Sequence, residues 1–452
     1  MVTTFVLIFD LAVVPVYSQL EQSPVLTSQN QSNDDADNVA SDTDRVPLII
    51  EHVITSNTTG RFFGPNMAFL GVNDILILED TKGKVWRVVN GQISEGPLLD
   101  LPAYTPDGLT GIAVSKLENG TVYVFLYLNE APTIPGRDVD TFEVAESLNQ
   151  TLGYDREGDR LYRYELVDNK LVNPELLFQI PDKTRNIFQE IHHGGEVIVG
   201  PDDNVYVAIG EIDGHEHPDS RTRAQNYQNG TDPDGRAGII GITQDGNVVE
   251  GNAILGSDDP LDKYYAYGIR NSFGMDFDPV SGSLWDTENG PNYGDEINLF
   301  EPGFNGGWSK VQGFWKPDGE DRGEEDLDPD ALVDFGGKGE YSPPKFVWNA
   351  TVAPTALKFF NSDEFGGEYE NDMFVGDINN GNLYHFDLND ERTELELDNP
   401  LDDKVADNKG ELEQIIFAKG FNGIVDLQVG PDGYLYILSN GSIFRIRPAI
   451  DE

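Results

Sequence analysis

The feature that most limits the fold is a unit repeated along the chain. An apolar strand is followed by a turn, a second, aromatic-rich strand and a further turn. The unit occurs as MAFLGVNDILILEDTKGKVWRVV at 67–89, GIAVSKLENGTVYVFLYL at 111–128, VIVGPDDNVYVAIGE at 197–211 and MDFDPVSGSLWDTEN at 275–289. It returns as LKFFNSDEFGGEYENDMFVGDINNGNLYHFDL at 357–388 and LQVGPDGYLYILSNGSIFRIRP at 427–448. Its turns are clearest at Pro201-Asp202-Asp203 and Pro431-Asp432-Gly433, where Pro presets φ and Gly permits positive φ. Short-strand units recurring in this way suit radial packing, in which each unit is covered by its neighbours. The prediction is an all-β, six-bladed β-propeller with four-stranded antiparallel blades and long inserted loops. A large sandwich or jelly roll is the alternative, and it needs no repeated unit. Residues 46–55 are expected to add a strand that closes the ring with the last blade. Segments 129–160 and 313–345 do not fit the repeat and read as long loops at the channel mouth or as disordered acidic insertions.

Composition agrees with strands and excludes several functions. Aromatic residues make up 10% of the chain and there are 48 glycines, which favours many short strands over a helical bundle. The formal net charge of −50 would repel phosphates, so no nucleic-acid partner is expected. Calcium, cationic surfaces or a saline medium are the natural counterparts, and solubility in a saline habitat is the plain explanation. With no cysteine, disulfides, zinc–thiolate sites and thiol catalysis are excluded. Residues 1–18 (MVTTFVLIFDLAVVPVYS) read as a signal peptide or N-terminal anchor, though Asp10 interrupts the apolar run. Residues 19–45 read as a disordered polar and acidic tether, leaving 46–452 for the propeller. Sequons at Asn30, Asn57, Asn119, Asn149, Asn229, Asn349 and Asn440 agree with a secreted or cell-surface, extracytoplasmic location.

Chemistry concentrates in residues 264–308. Arg270 offers a planar fork of donors to a carboxylate or quinone oxygen. The turn at Gly290-Pro291 leaves backbone carbonyls without a strand partner, and Asp295 and Glu296 add carboxylates. Carbonyls with carboxylates suit a hard cation such as calcium; the alternative is an acidic turn between two strands. In EIHHGGEV at 190–197, His192 and His193 precede the start of a strand, where an imidazole can act as a general base. Glu211, nineteen residues on, ends the next strand and can face that base; the alternative is a histidine packed in a loop. His215, Glu216 and His217 in GHEHPDS form a weaker transition-metal candidate with no third ligand fixed by spacing. His52 and His385 carry no motif and read as structural. No nucleophile elbow, phosphate loop or dinucleotide fingerprint is present.

These motifs, with GPNMAFL (64–70), GLTGIAV (108–114), VWNATVAPTALKF (347–359) and VDLQVGPDGYLYIL (425–438), resemble the soluble pyrroloquinoline-quinone-dependent aldose sugar dehydrogenases, the glucose/sorbosone dehydrogenase family. The resemblance covers about residues 60–448 and implies a six-bladed propeller. It implies that His192 takes the proton of a substrate hydroxyl, with Glu211 as its acidic partner, while hydride passes to a calcium-polarised quinone. Arg270 and Asn271 would lie near the quinone, Gly290 and Pro291 would present carbonyls to the cofactor calcium, and Trp348 and Thr351 would line the pocket. Glu296 and the Gly306 carbonyl would be calcium ligands. Several family positions differ: Glu196 replaces an arginine, Pro106 a Glu or Gln, Asn379 or Asn380 a lysine, and Gly423 and Val425 two basic residues. Because the quinone carries three carboxylates, this loss of cations weighs against its binding.

The resemblance therefore implies a secreted quinoprotein-type oxidoreductase acting on aldose sugars or polyols, with an extracellular electron acceptor of unknown identity. The alternative is a non-enzymatic, calcium-stabilised propeller that binds glycan or protein. A third reading, a calcium-dependent propeller hydrolase, shares the architecture but follows the motifs less closely. In each case the N-terminus is the only candidate membrane tether.

Overall fold

The computed structural model describes residues 23–27, 46–54, 64–79, 82–101, 108–130, 158–180, 192–212, 221–251, 253–318, 321–323 and 331–449. The signal at 1–18, most of the tether, Pro106, the GHEHPDS histidines and the sequons at Asn30, Asn57 and Asn149 lie outside the described residues.

The chain forms an all-β propeller. Its successive sheets begin with Met67–Gly71, Leu109–Lys116, Gly194–Val199, Ser272–Phe277, Pro354–Phe359 and Ile424–Val429. Each of these first strands packs beside the first strand of the next sheet, and the last returns to the first. Ring closure comes from Leu48–Ile54, which pairs antiparallel with Ser442–Pro448. Two ends of the chain thus share one sheet, as expected for residues 46–55.

Packing between sheets sets the burial pattern. An ordinary antiparallel sheet shows one face to water and alternates; a sheet covered on both faces does not. Tyr293–Phe300 is accordingly buried at every position. One core cluster joins the fourth and fifth sheets through Trp285, Phe346, Trp348, Phe359, Tyr384 and Phe386. Aromatic side chains fill the space between sheets because each carries a large apolar area for one backbone position.

The repeated turn has a definite physical basis. The Tyr206 hydroxyl donates to Asp202 (2.9 Å), and the Tyr436 hydroxyl donates to Asp432 (2.8 Å). Each ring lies over the glycine before the turn. A Cβ at Gly200 would stand 2.9 Å from the Tyr206 ring, and one at Gly430 would stand 2.5 Å from the Tyr436 ring. The Gly-Pro-Asp signature is therefore a packing requirement as well as a turn signal.

Two expectations are corrected. The blades are not uniformly four-stranded and antiparallel: among the described residues the second and last sheets have four strands, and the others have five or six. The additions lie at outer edges, and three of them pair parallel: Phe304–Asn305 on Tyr264–Tyr267, Glu340–Tyr341 on Phe304–Asn305, and Val405–Ala406 on Phe346–Ala350. An outer edge exposes unpaired N–H and C=O groups, and inserted segments satisfy them. Within the segment read as a disordered tether, Val25–Leu26 forms a strand on Ile416–Lys419, and the Thr27 hydroxyl donates to the Ile416 carbonyl (2.6 Å). Leu26 packs partly buried against the core cluster of Phe417, Ala418 and Phe421, whereas Val25 is exposed.

Candidate active site at one end of the ring

The sequence-predicted residues gather where the first strands begin and the second strands end. His192 precedes Gly194–Val199, and Glu211 follows Val205–Ile209. Arg270 and Asn271 precede Ser272–Phe277, and Asn289-Gly290 follows Leu284–Glu288. Antiparallel register therefore delivers four chain segments from two adjacent sheets to one place. The backbones come very close: a Cβ at Gly210 would stand 1.9 Å from the His192 carbonyl oxygen. His192 itself has φ +64°, the left-handed region that non-glycine residues rarely adopt.

His192 and Glu211 meet as expected. His192 Nδ1 lies 2.9 Å from Glu211 Oε1, and Arg270 Nη2 lies 3.2 Å from His192 Nε2. A guanidinium only donates, so Nε2 is an acceptor and Nδ1 carries the proton. The imidazole is held neutral, with its basic lone pair on Nε2. Its side chain is 15% exposed and Glu211 is 1% exposed, so the imidazole reaches solvent and its partner does not. Trp308 Nε1 donates to the other oxygen of Glu211. Burial alone would raise Glu211, but the hydrogen bond from His192, the charge of Arg270 and the hydrogen bond from Trp308 leave it below the usual carboxylate range.

Arg270 is the hub of the site. Nη1 donates to the carbonyls of Asn289 (2.7 Å) and Gly290 (3.0 Å), and the Arg270 amide donates to Glu288 Oε1 (2.8 Å). The Gly290 carbonyl, read as having no strand partner, is engaged by the Arg270 side chain. Arg270 Nε is buried and has no partner. Asn271 is spent on structure, its Oδ1 accepting from the Gly194 amide (3.1 Å).

Asp295 holds the turns around the site. One oxygen accepts from the Gly290 amide (2.8 Å); the other accepts from the amides of Val352 and Ala353, both at 2.7 Å. Burial raises it to about 6 against the pull of these donors. Pro291 and Thr351 flank the two stapled turns and are half-buried. Trp348 is corrected from pocket lining to core: it is 1% exposed and packs on Phe346, Tyr384 and Phe386.

Behind Arg270 lies a group of acids that sequence reading recovered only in part. Glu288 pairs with Glu296 and Asp286 with Asn298 across adjacent strands, so these four side chains share one sheet face. All are at most 2% exposed. Glu296 accepts from Gln312 Nε2 (2.9 Å), Asn298 Nδ2 (3.1 Å) and the Gly313 amide. Both oxygens of Asp286, Oε2 of Glu288 and Oδ1 of Asn298 are buried without a partner. Burial lifts Asp286 to about 8, and burial with the neighbouring acids Glu296 and Asp286 raises Glu288 well above its ordinary value. Acids at alternate positions of an otherwise buried strand, Asp286 and Glu288, were the available sequence signal. Gly306 forms no described hydrogen bond to Glu296; its amide donates to the Tyr267 carbonyl (2.9 Å).

Of the positions that differ from the family pattern, Asn380, Val425 and Glu196 are accounted for locally. The Asn380 amide donates to Asp377 (2.6 Å), closing its own turn, and Val425 lies in an apolar cluster. Glu196 lies lower along the same strand as His192 and accepts from Asn66 Nδ2 (2.6 Å).

Comparison with known proteins agrees with this geometry. The sequence profile of the glucose / sorbosone dehydrogenases matches residues 65–446. The chain is 28% identical over 272 residues to an aldose sugar dehydrogenase of Escherichia coli, covering 57% of this chain and 60% of that protein. It is 27% identical over 256 residues to quinoprotein glucose dehydrogenase B of Acinetobacter calcoaceticus, covering 54% and 49%. In both cases the match spans less than two thirds of the relative. Among solved structures, the soluble aldose sugar dehydrogenase of E. coli in its apo form superposes with a TM-score of 0.62 at 20% identity, over 89% of this chain and 100% of that one. The pyrroloquinoline-quinone-bound aldose sugar dehydrogenase of Streptomyces coelicolor gives 0.56 at 19%, over 89% and 99%. These two structures bear on the fold, whereas the profile match spans nearly the whole described propeller, and the chain belongs to the glucose/sorbosone dehydrogenase family.

Proposed function

We propose that this chain is an exported quinoprotein-type oxidoreductase that oxidises an aldose sugar or related polyol with calcium assistance. The observation that carries the reading is the neutral His192, with Nδ1–H on Glu211 and its Nε2 lone pair on Arg270, in a side chain that is 15% exposed. A substrate hydroxyl reaching Nε2 in place of Arg270 Nη2 loses its proton to that nitrogen. Glu211 then stabilises the imidazolium that forms, as a buried carboxylate on Nδ1–H does in general base catalysis.

The residues fit the implied groups as follows. The unpartnered oxygens of Asp286 and Glu288, beside Glu296, suit a hard cation, which supplies the positive charge these buried acids lack. Arg270, with one orphaned buried N–H, suits a single carboxylate or quinone oxygen. A bound quinone supplies a two-electron acceptor for the hydride. With one guanidinium among the described residues of the site, quinone binding should depend on calcium. Export is supported by the N-terminal apolar segment and by exposed sequons at Asn119 and Asn229. The six-blade reading is supported by one sheet of four or more strands behind each of the first strands in the ring.

The test is calorimetric titration with pyrroloquinoline quinone, with and without calcium, followed by dye reduction across a sugar panel. Calcium-dependent binding and sugar-dependent reduction are expected. Dye reduction by no sugar in the fully loaded protein would sink the enzymatic reading. The replaced cationic positions favour one second reading, a calcium-stabilised propeller that binds glycan or protein. It predicts no quinone binding under any condition.

A further inference from the structure

His385, which reads as structural in the sequence, sits in a constellation of metal-ligating groups far along its blade. Phe374 pairs with His385 and Met373 with Phe386 across two antiparallel strands. Continuing that register by one residue sets Asp372 opposite Asp387. Side chains alternate faces, so Asp372, His385 and Asp387 all project from the same face. This end of the hairpin is the one away from residues 378–381, where the Ile378 amide donates to the Ala353 carbonyl beside the candidate active site. The two locations are therefore distinct.

The distances suit a single ion. His385 Nε2 lies 2.9 Å from Asp372 Oδ2 and 3.8 Å from Asp387 Oδ1, and the three ligand atoms all lie within 4.8 Å of one another. Ligand atoms around a tetrahedral zinc ion stand about 3.4 Å apart, inside that span. Among the described residues no other such group of three ligands occurs.

The groups are also held in place without an ion. The His385 ring is wedged among Tyr369, Phe374 and Phe417, at centroid distances of 5.2, 5.1 and 6.1 Å. The Asp372 carbonyl accepts from the Phe360 amide (2.8 Å), and the Asp387 carbonyl accepts from the Glu396 amide (2.9 Å). Asp387 is 57% exposed, leaving an open side for water or a further ligand. Like charges set directly opposite in a sheet are destabilising, so this pairing calls for a compensating cation. Burial raises Asp387, His385 draws it down, and Asp372 pushes it up again.

We propose that His385 Nε2 and the carboxylates of Asp372 and Asp387 bind a divalent transition-metal ion of the zinc type. One imidazole with two carboxylates is a borderline donor set, softer than the all-oxygen cluster around Glu296 and therefore selective for a different ion. The ion ties the start of Met373–Asp377 to the end of Asn382–Phe386.

The test is calorimetric titration of zinc chloride into the full chain carrying His215→Ala and His217→Ala, which removes the competing histidines of the GHEHPDS loop. One saturable zinc site per chain is expected, with a rise in Tm on binding. His385→Gln should abolish both effects, and Asp387→Asn, at an exposed position that the fold tolerates, should weaken binding at least about tenfold. Millimolar calcium should leave the zinc isotherm in place. An isotherm unchanged by Asp387→Asn, displacement by calcium, or the absence of saturable binding would each overturn the proposal and leave His385 as a hydrogen-bond partner of Asp372.

Discussion

Two buried glutamates stand on either side of Arg270 and behave oppositely. Glu211 is met by His192 and Trp308, and the balance holds its charge in place. Glu288 is equally buried, receives the Arg270 amide on one oxygen and nothing on the other, and faces Glu296 and Asp286. Burial therefore does not decide the state of a carboxylate; the donors around it do. The donor-rich side is complete and forms the proposed base with its support. The donor-poor side keeps buried acid oxygens without donors. Arg270 touches both sides, through its amide on Glu288 and its guanidinium on His192.

The largest effects should come from the complete side. His192→Ala removes the proton acceptor and should cut sugar-dependent dye reduction by about 10²- to 10⁴-fold with circular dichroism unchanged. Glu211→Gln keeps the shape but strips the charge that faces His192 and Arg270. It should destabilise by about 3 kcal/mol, because it breaks a buried, hydrogen-bonded charge network. Glu288→Gln, by contrast, should change metal-free stability by less than about 1 kcal/mol. Equal losses in the two variants, read by denaturant unfolding, would erase the distinction between the two sides.

A smaller effect should reverse sign with calcium. In the metal-free chain Asp286 is an unpartnered buried acid, so Asp286→Asn should stabilise by about 1–2 kcal/mol. With calcium present the same change removes a ligand and should reduce the calcium-induced rise in Tm. The acid's folded value, about 8, lies above its unfolded one, so its contribution is full below pH 4 and is lost as pH rises through 8. Metal-free Tm should fall over that window, and calcium should flatten the slope. A calcium response that is the same in Asp286→Asn and wild type would remove Asp286 from the site.

Much of this was legible in the sequence because it rests on local chemistry. The turns at Pro201 and Pro431, the ring-closing strand at Leu48–Ile54 and the His192–Glu211 pair follow from turn residues, alternation and antiparallel register. What was not legible depends on contacts between distant segments. Trp308 reaches Glu211 across 97 residues, and Asp295 reaches Val352 across 57. Trp348 looked like a pocket residue because its motif is contiguous with Thr351, but strand alternation turns it into the core. The parallel strands at the blade edges come from inserts with no repeat signature of their own. Val25–Leu26 is too short to stand out from the polar stretch around it.

The smallest effect concerns Glu196, where the chain departs from its family within the first strand of a blade. One lysine serves three acids here. Lys358 Nζ lies 3.0 Å from Asp276, leaving Glu196 and Asp426 to share what remains. Burial raises Glu196, and the charge of Asp426 raises it further, against Asn66 and Lys358; burial lifts Asp426 to about 7. Both folded values exceed the unfolded ones, so the folded chain binds more protons and loses this contribution as pH rises from about 4 through 7. Glu196→Gln removes one of the two acids and accepts the Asn66 amide on its own carbonyl oxygen. Between pH 5 and 8 its Tm should therefore fall less steeply than that of wild type, ending about 1–3 °C higher at pH 8. The measurement is a set of thermal melts at fixed ionic strength. Parallel slopes for the two proteins would mean that Lys358 neutralises all three acids, and that the missing arginine left no charge imbalance in the ring.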